Sequence, residues 1–450
     1  VWIYLLGTFF LISGCAEAPI KVGEGKIEPT LQQVTGLSEN AADTAATKAQ
    51  MSLWDVYALA AKRTEILATS AENVLQAKAQ SNQAVGAWLP QIGLNGTLSG
   101  YSNSTTPPGL YPNLNNDSLY FSAAETILTG LNQVAAIQGA SDNINAQQFS
   151  LQNQARTLLL NVASAFYNVL SLEESLQALQ ASRDLNAKTL DIEKEWQRMG
   201  RARTADVSNT QAQLAQLDAD IQSTQNQLTQ ARSQLSTLAN LKLDQPLISE
   251  ETFSAPPTSL DDAESGLENR PDVKSAASSV AVADAELLAA HGGHLPNLIA
   301  TGQYFVDRDG GSAAPDWNVQ LTASLPIFEG GQVIAEEDQA ASKMRQAEMV
   351  LSLTKRTAHD DIQNALKSLT ESTSETDAYQ KAEQSYEQAY QDVMHDYKLN
   401  LTTNLELLQT MTSLENTKIS YIKAKYQTLY DQVWLGVATG QLPKISQENK

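Results

Sequence analysis

Two stretches without a single proline, residues 131–241 and 331–442, constrain what this chain can fold into more than anything else in it. They match in length and layout. Each reads as a helix of roughly 70 residues, a short break and a second helix of roughly 35; at 1.5 Å per residue the longer arm reaches about 100 Å. An ordinary globular core does not hold a helix of that length, so the pattern predicts a coiled coil or bundle. The first break is Met199-Gly200-Arg201-Ala202-Arg203-Thr204 and the second is Leu399-Asn400-Leu401-Thr402-Thr403. Beyond the first break Val207, Thr210, Leu214, Leu217, Ile221, Thr224, Leu228, Ala231, Leu235 and Leu238 step by three and four without interruption. That heptad seam, weakened by Thr and Ala, fits a left-handed supercoil.

The segments in front of the two stretches also correspond. Residues 53–87 carry Trp54, Leu59, Ile66, Leu67, Val74 and Val85 near a helical period, with Ser52 placed to cap, and Leu89-Pro90 ends the run. In the second half a helix is expected over 261–290, ahead of Leu295-Pro296. After each proline the period changes from helix to strand. Ile92, Leu94, Gly96 and Leu98 alternate with polar residues, and residues 119–128 alternate again after a turn-rich loop over 102–117. In the second half Leu298, Ala300, Gly302, Tyr304 and Val306 alternate, and a loop over 307–316 follows. Then Trp317, Val319, Leu321, Ala323, Leu325 and Ile327 face opposite Asn318, Gln320, Thr322 and Ser324. Each half therefore reads helix, strand, loop, strand, long helix, break, helix: one architecture built twice. The two shorter helices of each half add up to the long one and are expected to stack end to end beside it.

The expected layout is a signal segment over 1–14, a strap over 15–51, a first repeat over 52–241, a linker over 242–260, a second repeat over 261–440 and a tail over 441–450. The apolar run at the front is too short to span a bilayer but has the size of a signal-peptide core. Val1 is not a start residue and no charged n-region precedes the run, so the front of that signal is expected to lie upstream. Ile12-Ser13-Gly14-Cys15 resembles a bacterial lipobox, which implies cleavage before Cys15 and lipid on its sulfur; Ala16 resembles lipoproteins passed to the outer membrane. Lipid at one point tethers a chain and spans nothing.

Short strands with one apolar and one polar face suit a transmembrane barrel with a wet interior. Four of them cannot close one alone, since closed barrels start at about eight strands. An open edge in lipid is too costly to persist, so insertion forces oligomerisation, and three chains would give twelve strands. The formal charge of −21 argues against a nucleic-acid partner, whose phosphates it would repel.

The chain resembles the TolC family of bacterial outer-membrane channel-tunnels, particularly its lipid-anchored efflux members. The marks are Asn269-Arg270-Pro271-Asp272-Val273 opening the second repeat, with Arg63-Thr64-Glu65-Ile66 as a degenerate counterpart, and the two Leu-Pro pairs before strands. Leu325-Pro326-Ile327-Phe328-Glu329-Gly330-Gly331 and Ala165-Phe166-Tyr167-Asn168-Val169-Leu170 complete them. The resemblance implies a mainly α fold with a small β part: a homotrimer with a twelve-stranded outer-membrane barrel continuing into a helical barrel across the periplasm. It also implies a passive exit duct joined to a periplasmic adaptor and an inner-membrane pump. By the same resemblance Thr204, Asp206, Tyr397, Glu406 and Gln409 fall at the periplasmic gate. Thr402 stands where some relatives carry arginine, and Gln409 where some carry a carboxylate. Gly200, Arg201, Ala202, Arg203, Asn400, Leu401 and Thr403 sit where relatives meet the adaptor.

No nucleophile elbow, P-loop, dinucleotide fingerprint or zinc spacing is present, and the carboxylates are scattered over helical faces, so no enzyme is expected. His291-Gly292-Gly293-His294 aligns with Val85-Gly86-Ala87-Trp88, a helix end, and glycines as a helix stop explain it better than a metal; no cofactor beyond the lipid is expected. Two alternatives remain open in the sequence: a duct for type I protein secretion, and a coiled-coil periplasmic lipoprotein without a pore.

Overall fold

A computed structural model describes residues 34–38, 40–98, 117–240, 242, 245–249, 260–308 and 315–440. After a short helical segment, Ala41–Ala46, the first half runs α1 (Leu53–Arg63), α2 (Glu65–Gly86), β1 (Gln91–Thr97), β2 (Ser118–Thr129), α3 (Asn132–Arg198) and α4 (Thr204–Leu238). The second half has a short helix, Leu260–Glu264, and a 3-10 turn, Leu267–Asn269. It continues through α5 (Pro271–His291), β3 (Asn297–Arg308), β4 (Trp317–Ser324), α6 (Gln332–Lys398) and α7 (Asn404–Ala438). The long helices are 67 residues each and their partners 35 each, identical in the two halves. No described helix is long and apolar enough to cross a membrane.

The heptad seam of α4 lies against its neighbours throughout: Val207, Thr210, Leu217, Ala231 and Leu235 are buried, and the other five seam residues half-buried. Ser52 caps α1 reciprocally, its hydroxyl accepting from the Asp55 N–H at 3.4 Å while Asp55 Oδ2 accepts from the Ser52 N–H at 3.0 Å. Two helix expectations need correction. The segment over 53–87 is not one helix, because Thr64 is extended (φ −77°, ψ 134°) and starts a new helix by accepting from the Ile66 N–H. The helix expected over 261–290 begins only at Pro271, after an extended Arg270 (φ −61°, ψ 137°), since a proline disfavours helix at the residue before it.

Those two breaks occupy the same place in each repeat, and each receives the end of a 35-residue helix. In the first half Asn240, at φ +45°, donates from Nδ2 to the Arg63 carbonyl and to Glu65 Oε1, both at 3.2 Å. In the second, Arg270 donates to the Ala438 carbonyl at 2.9 Å and Arg156 to the Gly440 carbonyl at 2.9 Å. Cationic donors there satisfy carbonyls that a helix terminus leaves open and complement its dipole. The shorter helices thus stack end to end along the long one, as their lengths predict. The largest core surrounds the first joint, where Leu53, Val56, Tyr57 and Leu59 meet Leu158, Leu159, Val162 and Phe166.

The four strands form a single antiparallel sheet in the order β1-β2-β3-β4. Register places Leu94, Phe121, Tyr304 and Trp317 in one row and Ala123, Gly302 and Val319 in the next, all on one face. That face is uncovered: Ile92 is 77% exposed, Trp317 63% and Val319 73%. Glu125 interrupts it with a charge near the middle, and Asp307, paired with Leu119, does so near its far end. The opposite face carries Ser122, Gln303 and Asn318, tied by Asn95 Nδ2 to Ser122 Oγ (2.8 Å) and Asn318 Nδ2 to Gln303 Oε1 (3.1 Å). The expected continuation of the last strand through Leu325 and Ile327 does not form; β4 stops at Ser324, ahead of Pro326, which has no N–H to pair. At the root of the sheet a Cβ on Gly130 (φ +58°) would stand 2.2 Å from the Gly292 carbonyl oxygen, so the glycines after His291 allow two backbones to meet.

Gly266 is a second close approach: a Cβ there would lie 2.3 Å from the Thr439 carbonyl oxygen, whereas one on Gly86 meets nothing within 4 Å. Gly266→Ala is therefore expected to destabilise the chain by about 1–3 kcal/mol through forced backbone displacement. Gly86→Ala should be neutral or stabilising by up to about 1 kcal/mol, as it replaces a helical glycine. Thermal unfolding of the two variants side by side checks the contrast.

Candidate functional site at the helical tips

Both breaks between long and short helix close with the same backbone device. At the first, Gly200 is left-handed (φ +73°), its N–H donates to the Gln197 carbonyl at 3.0 Å, and the Arg201 N–H donates to the Trp196 carbonyl at 2.8 Å. At the second, Asn400 is left-handed (φ +59°), with the Asn400 N–H on Tyr397 at 3.0 Å and the Leu401 N–H on Asp396 at 2.9 Å. This is the paired 6→1 and 5→2 bonding of a Schellman motif, which favours Gly or Asn at its left-handed position. The residues after the turn then cap the returning helix. Asp206 accepts from the Arg203 N–H at 3.2 Å and from the Arg203 guanidinium at 2.9 and 3.1 Å. Thr403 accepts from the Glu406 N–H at 3.3 Å, and the Thr402 hydroxyl donates to Glu406 Oε2.

The turn residues assigned from sequence fall at the two apices. Gly200, Arg201, Arg203, Asn400, Leu401 and Thr403 are exposed and Ala202 half-buried. Met199, Leu399, Leu401 and Leu405 add bare apolar surface, Leu401 at 72% exposure. Arg201 lies over the Trp196 ring at 5.6 Å, and Trp196 packs on Tyr397 with ring centroids 5.3 Å apart.

The gate residues expected from sequence do not converge within one chain. Thr204 accepts from Gln197 Nε2 at 3.2 Å, Asp206 is engaged with Arg203, and Glu406 and Gln409 are exposed on α7. Tyr397 is buried, and its hydroxyl donates at 3.0 Å to Glu193 of α3. Glu193 is fully buried and also accepts from Asn404 Nδ2, which itself donates to Thr210 Oγ1 at 3.1 Å. Four helices thus meet on one polar knot. Burial pushes the Glu193 carboxyl up, and the neighbouring polar groups of Thr210, Tyr397 and Asn404 work against it. The Tyr397 phenol is likewise raised, by burial first and then by the neighbouring Glu193. Sequence reading missed Glu193, although its signal was present. It follows Asn186, Thr189 and Leu190 at helical spacing, a carboxylate in phase with a buried stripe.

Elsewhere, His291 Nδ1 and His294 Nε2 lie 2.8 and 3.4 Å from one Glu337 oxygen. Among the described residues no group of three or more His, Cys, Asp or Glu side chains could hold a metal ion. Cys15, the expected lipid site, lies outside the described residues.

A one-layer amphipathic sheet continuing into a body of long, duplicated helix pairs is the architecture of an outer-membrane channel-tunnel. The chain belongs to the outer membrane efflux protein family, whose model matches residues 56–241 and 263–441. It is 25% identical over 380 residues to outer membrane protein TolC of Escherichia coli, covering 80% of this chain and 76% of that protein. It is also 25% identical over 328 residues to the pyoverdine export outer membrane protein OpmQ of Pseudomonas aeruginosa, covering 67% of each. Its fold matches the CmeC outer membrane channel of Campylobacter jejuni with TM-score 0.77 at 18% identity, over 88% of this chain and 87% of that one. The open state of the MtrE outer membrane channel of Neisseria gonorrhoeae matches with TM-score 0.74 at 20% identity, over 88% and 91%.

The capping role of Asp206 gives a local prediction. Asp206→Ala should loosen the first turn of α4 by about 1 kcal/mol, the usual cost of losing such a cap. Hydrogen exchange at the amides of residues 204–210 should then quicken, with the amides near Leu217 unchanged.

Proposed function

We propose that three copies of this chain form a continuous passive duct from periplasm to exterior, through which an inner-membrane pump and a periplasmic adaptor export small molecules. One observation carries the reading. The sheet has an uncovered apolar face and two edges, on β1 and β4, without a partner among the described residues. In hydrocarbon each unpaired backbone group costs several kcal/mol, so the sheet is tenable only when β1 of one copy pairs with β4 of the next. Twelve strands then close a barrel whose polar face lines water. The helical body supports the same arrangement, because Ile334, Met349, Val350 and Leu353 of α6 are exposed in the single chain and need cover from a neighbouring copy.

The duct supplies no chemistry of its own in this reading; it holds open a wet path that the pump loads. The two apices, with Arg201 and Arg203 on one and Leu401 on the other, are the surface offered to the adaptor. Thr204, Asp206, Tyr397, Glu406 and Gln409 surround the narrow periplasmic mouth, where acidic side chains raise the local concentration of cations. Lipid on Cys15, suggested by the lipobox, would tether the assembly further. The similarity to a pyoverdine exporter favours a small-molecule cargo over polypeptide secretion.

The test is the current carried by the detergent-extracted protein in planar bilayers, alongside its mass. Trimers giving discrete, small, cation-selective steps are expected; a verified trimer that inserts and stays silent would sink the duct in favour of a structural lipoprotein. For the apices, Leu401→Glu should abolish export in cells while trimer yield stays at the parent level. Unchanged export would move the adaptor contact elsewhere.

A further inference from the structure

We propose that Glu193 is the residue that locks the periplasmic tip, closed in its neutral form and released when it ionises. The inference rests on the duct reading for its consequence, though not for its structural test. Glu193 sits on α3 with no exposed surface, at the seam where the α3–α4 pair meets the α6–α7 pair. Its Oε1 gathers the Tyr397 hydroxyl from α6 and the Asn404 amide from α7, while Thr210 and the backbone-capping Asp206 face it from α4. No cation faces it among these groups. Its other oxygen, Oε2, is buried with no hydrogen-bond partner, and so is Asn404 Oδ1. A carboxylate there leaves one buried oxygen, Oε2, bearing charge without a donor, whereas a carboxylic acid has only a hydrogen to place on it. Tyr397 and Asn404 flank the α6–α7 turn, so the same bonds that satisfy Glu193 hold the second-repeat apex against the first.

The sign follows from the raised value of the buried acid. In an opened tip Glu193 meets water and titrates as an ordinary carboxyl, near about 4.3. The closed tip binds the proton more tightly. Protonation therefore favours closure fully below the ordinary value, and that support is lost as pH rises through the raised one. Further up the same seam Glu415 of α7 is also buried, 8% exposed, and is pushed up to about 7 by burial and then by Asp220 of α4. It lies about 16 Å along the helix from Asn404 at 1.5 Å per residue, so it is a separate contributor to be removed in the test.

The experiment uses the full-length trimer carrying Glu415→Gln, with and without Glu193→Gln. Spin labels at Arg198→Cys and Lys398→Cys, with Cys15→Ser, report the separation of the two apices; bilayer conductance is recorded in parallel on the unlabelled proteins. Between about pH 5 and about pH 8 the Glu193 protein should show a lengthened inter-apex distance and a conductance step at least about twofold larger. Glu193→Gln, which keeps one acceptor oxygen for Tyr397 and Asn404 and carries no charge, as the neutral acid does, should hold the short distance and the small step at both values. An equal response in the two proteins, or none in either, overturns the lock. Silence in the bilayer with a distance that still responds only when Glu193 is present would uphold the lock and count against the duct instead.

Discussion

A backbone that enters hydrocarbon must leave no N–H or C=O unpaired, and the rest of this molecule depends on that constraint. Four strands cannot satisfy it alone. The sheet keeps a bare apolar face and two bare edges, and both are faults in a solitary protein. They become requirements once copies of the chain close on one another. The helices carry the same implication away from the membrane, because α6 is far less buried than α3 although the two have equal length. In the proposed duct the exposed stretches of α6 are where one sector of the tube meets the next.

Duplication sets the geometry of that sector. Both halves solve the same mechanical problem, the joining of two shorter helices beside one long helix, at the same point in the repeat. They solve it with different chemistry. The first joint uses a neutral amide, Asn240, on the carbonyl of Arg63; the second uses two guanidinium groups, those of Arg156 and Arg270, on the carbonyls of Gly440 and Ala438. Position was kept while side chains diverged. Helix ends demand donors for their carbonyls, and many side chains can supply them.

Most of the architecture was legible in the sequence, because long periodic runs and proline positions are strong signals. The helix pairs, their breaks and the four strands all follow from period and punctuation. The interruption at Thr64 was not legible, since Thr is an unremarkable helix residue and only the incoming end of α4 gives it reason to extend. The end of β4 misled for the opposite reason: apolar alternation runs on through Ile327, while Pro326 withholds the N–H that a further pair needs. At the tip, the turns and caps were legible as residue types. The partner of Tyr397 was not, because a carboxylate on a helix is ordinarily read as a solvated face, and Glu193 is identified only by its phase with Asn186 and Leu190. Contacts between copies lie beyond any single chain.

The two apices are near copies in backbone, with left-handed Gly200 and Asn400 closing the same pair of hydrogen bonds at the ends of equal helices. Any ring of these chains therefore displays twice as many tips as it has members. A partner that engages only the turn backbone meets a rim of doubled rotational order and can seat in more than one register. A partner that distinguishes Arg201 from Leu401 meets only the order of the chains themselves. Whether the end of the tube counts by tips or by chains is decided by those two side chains.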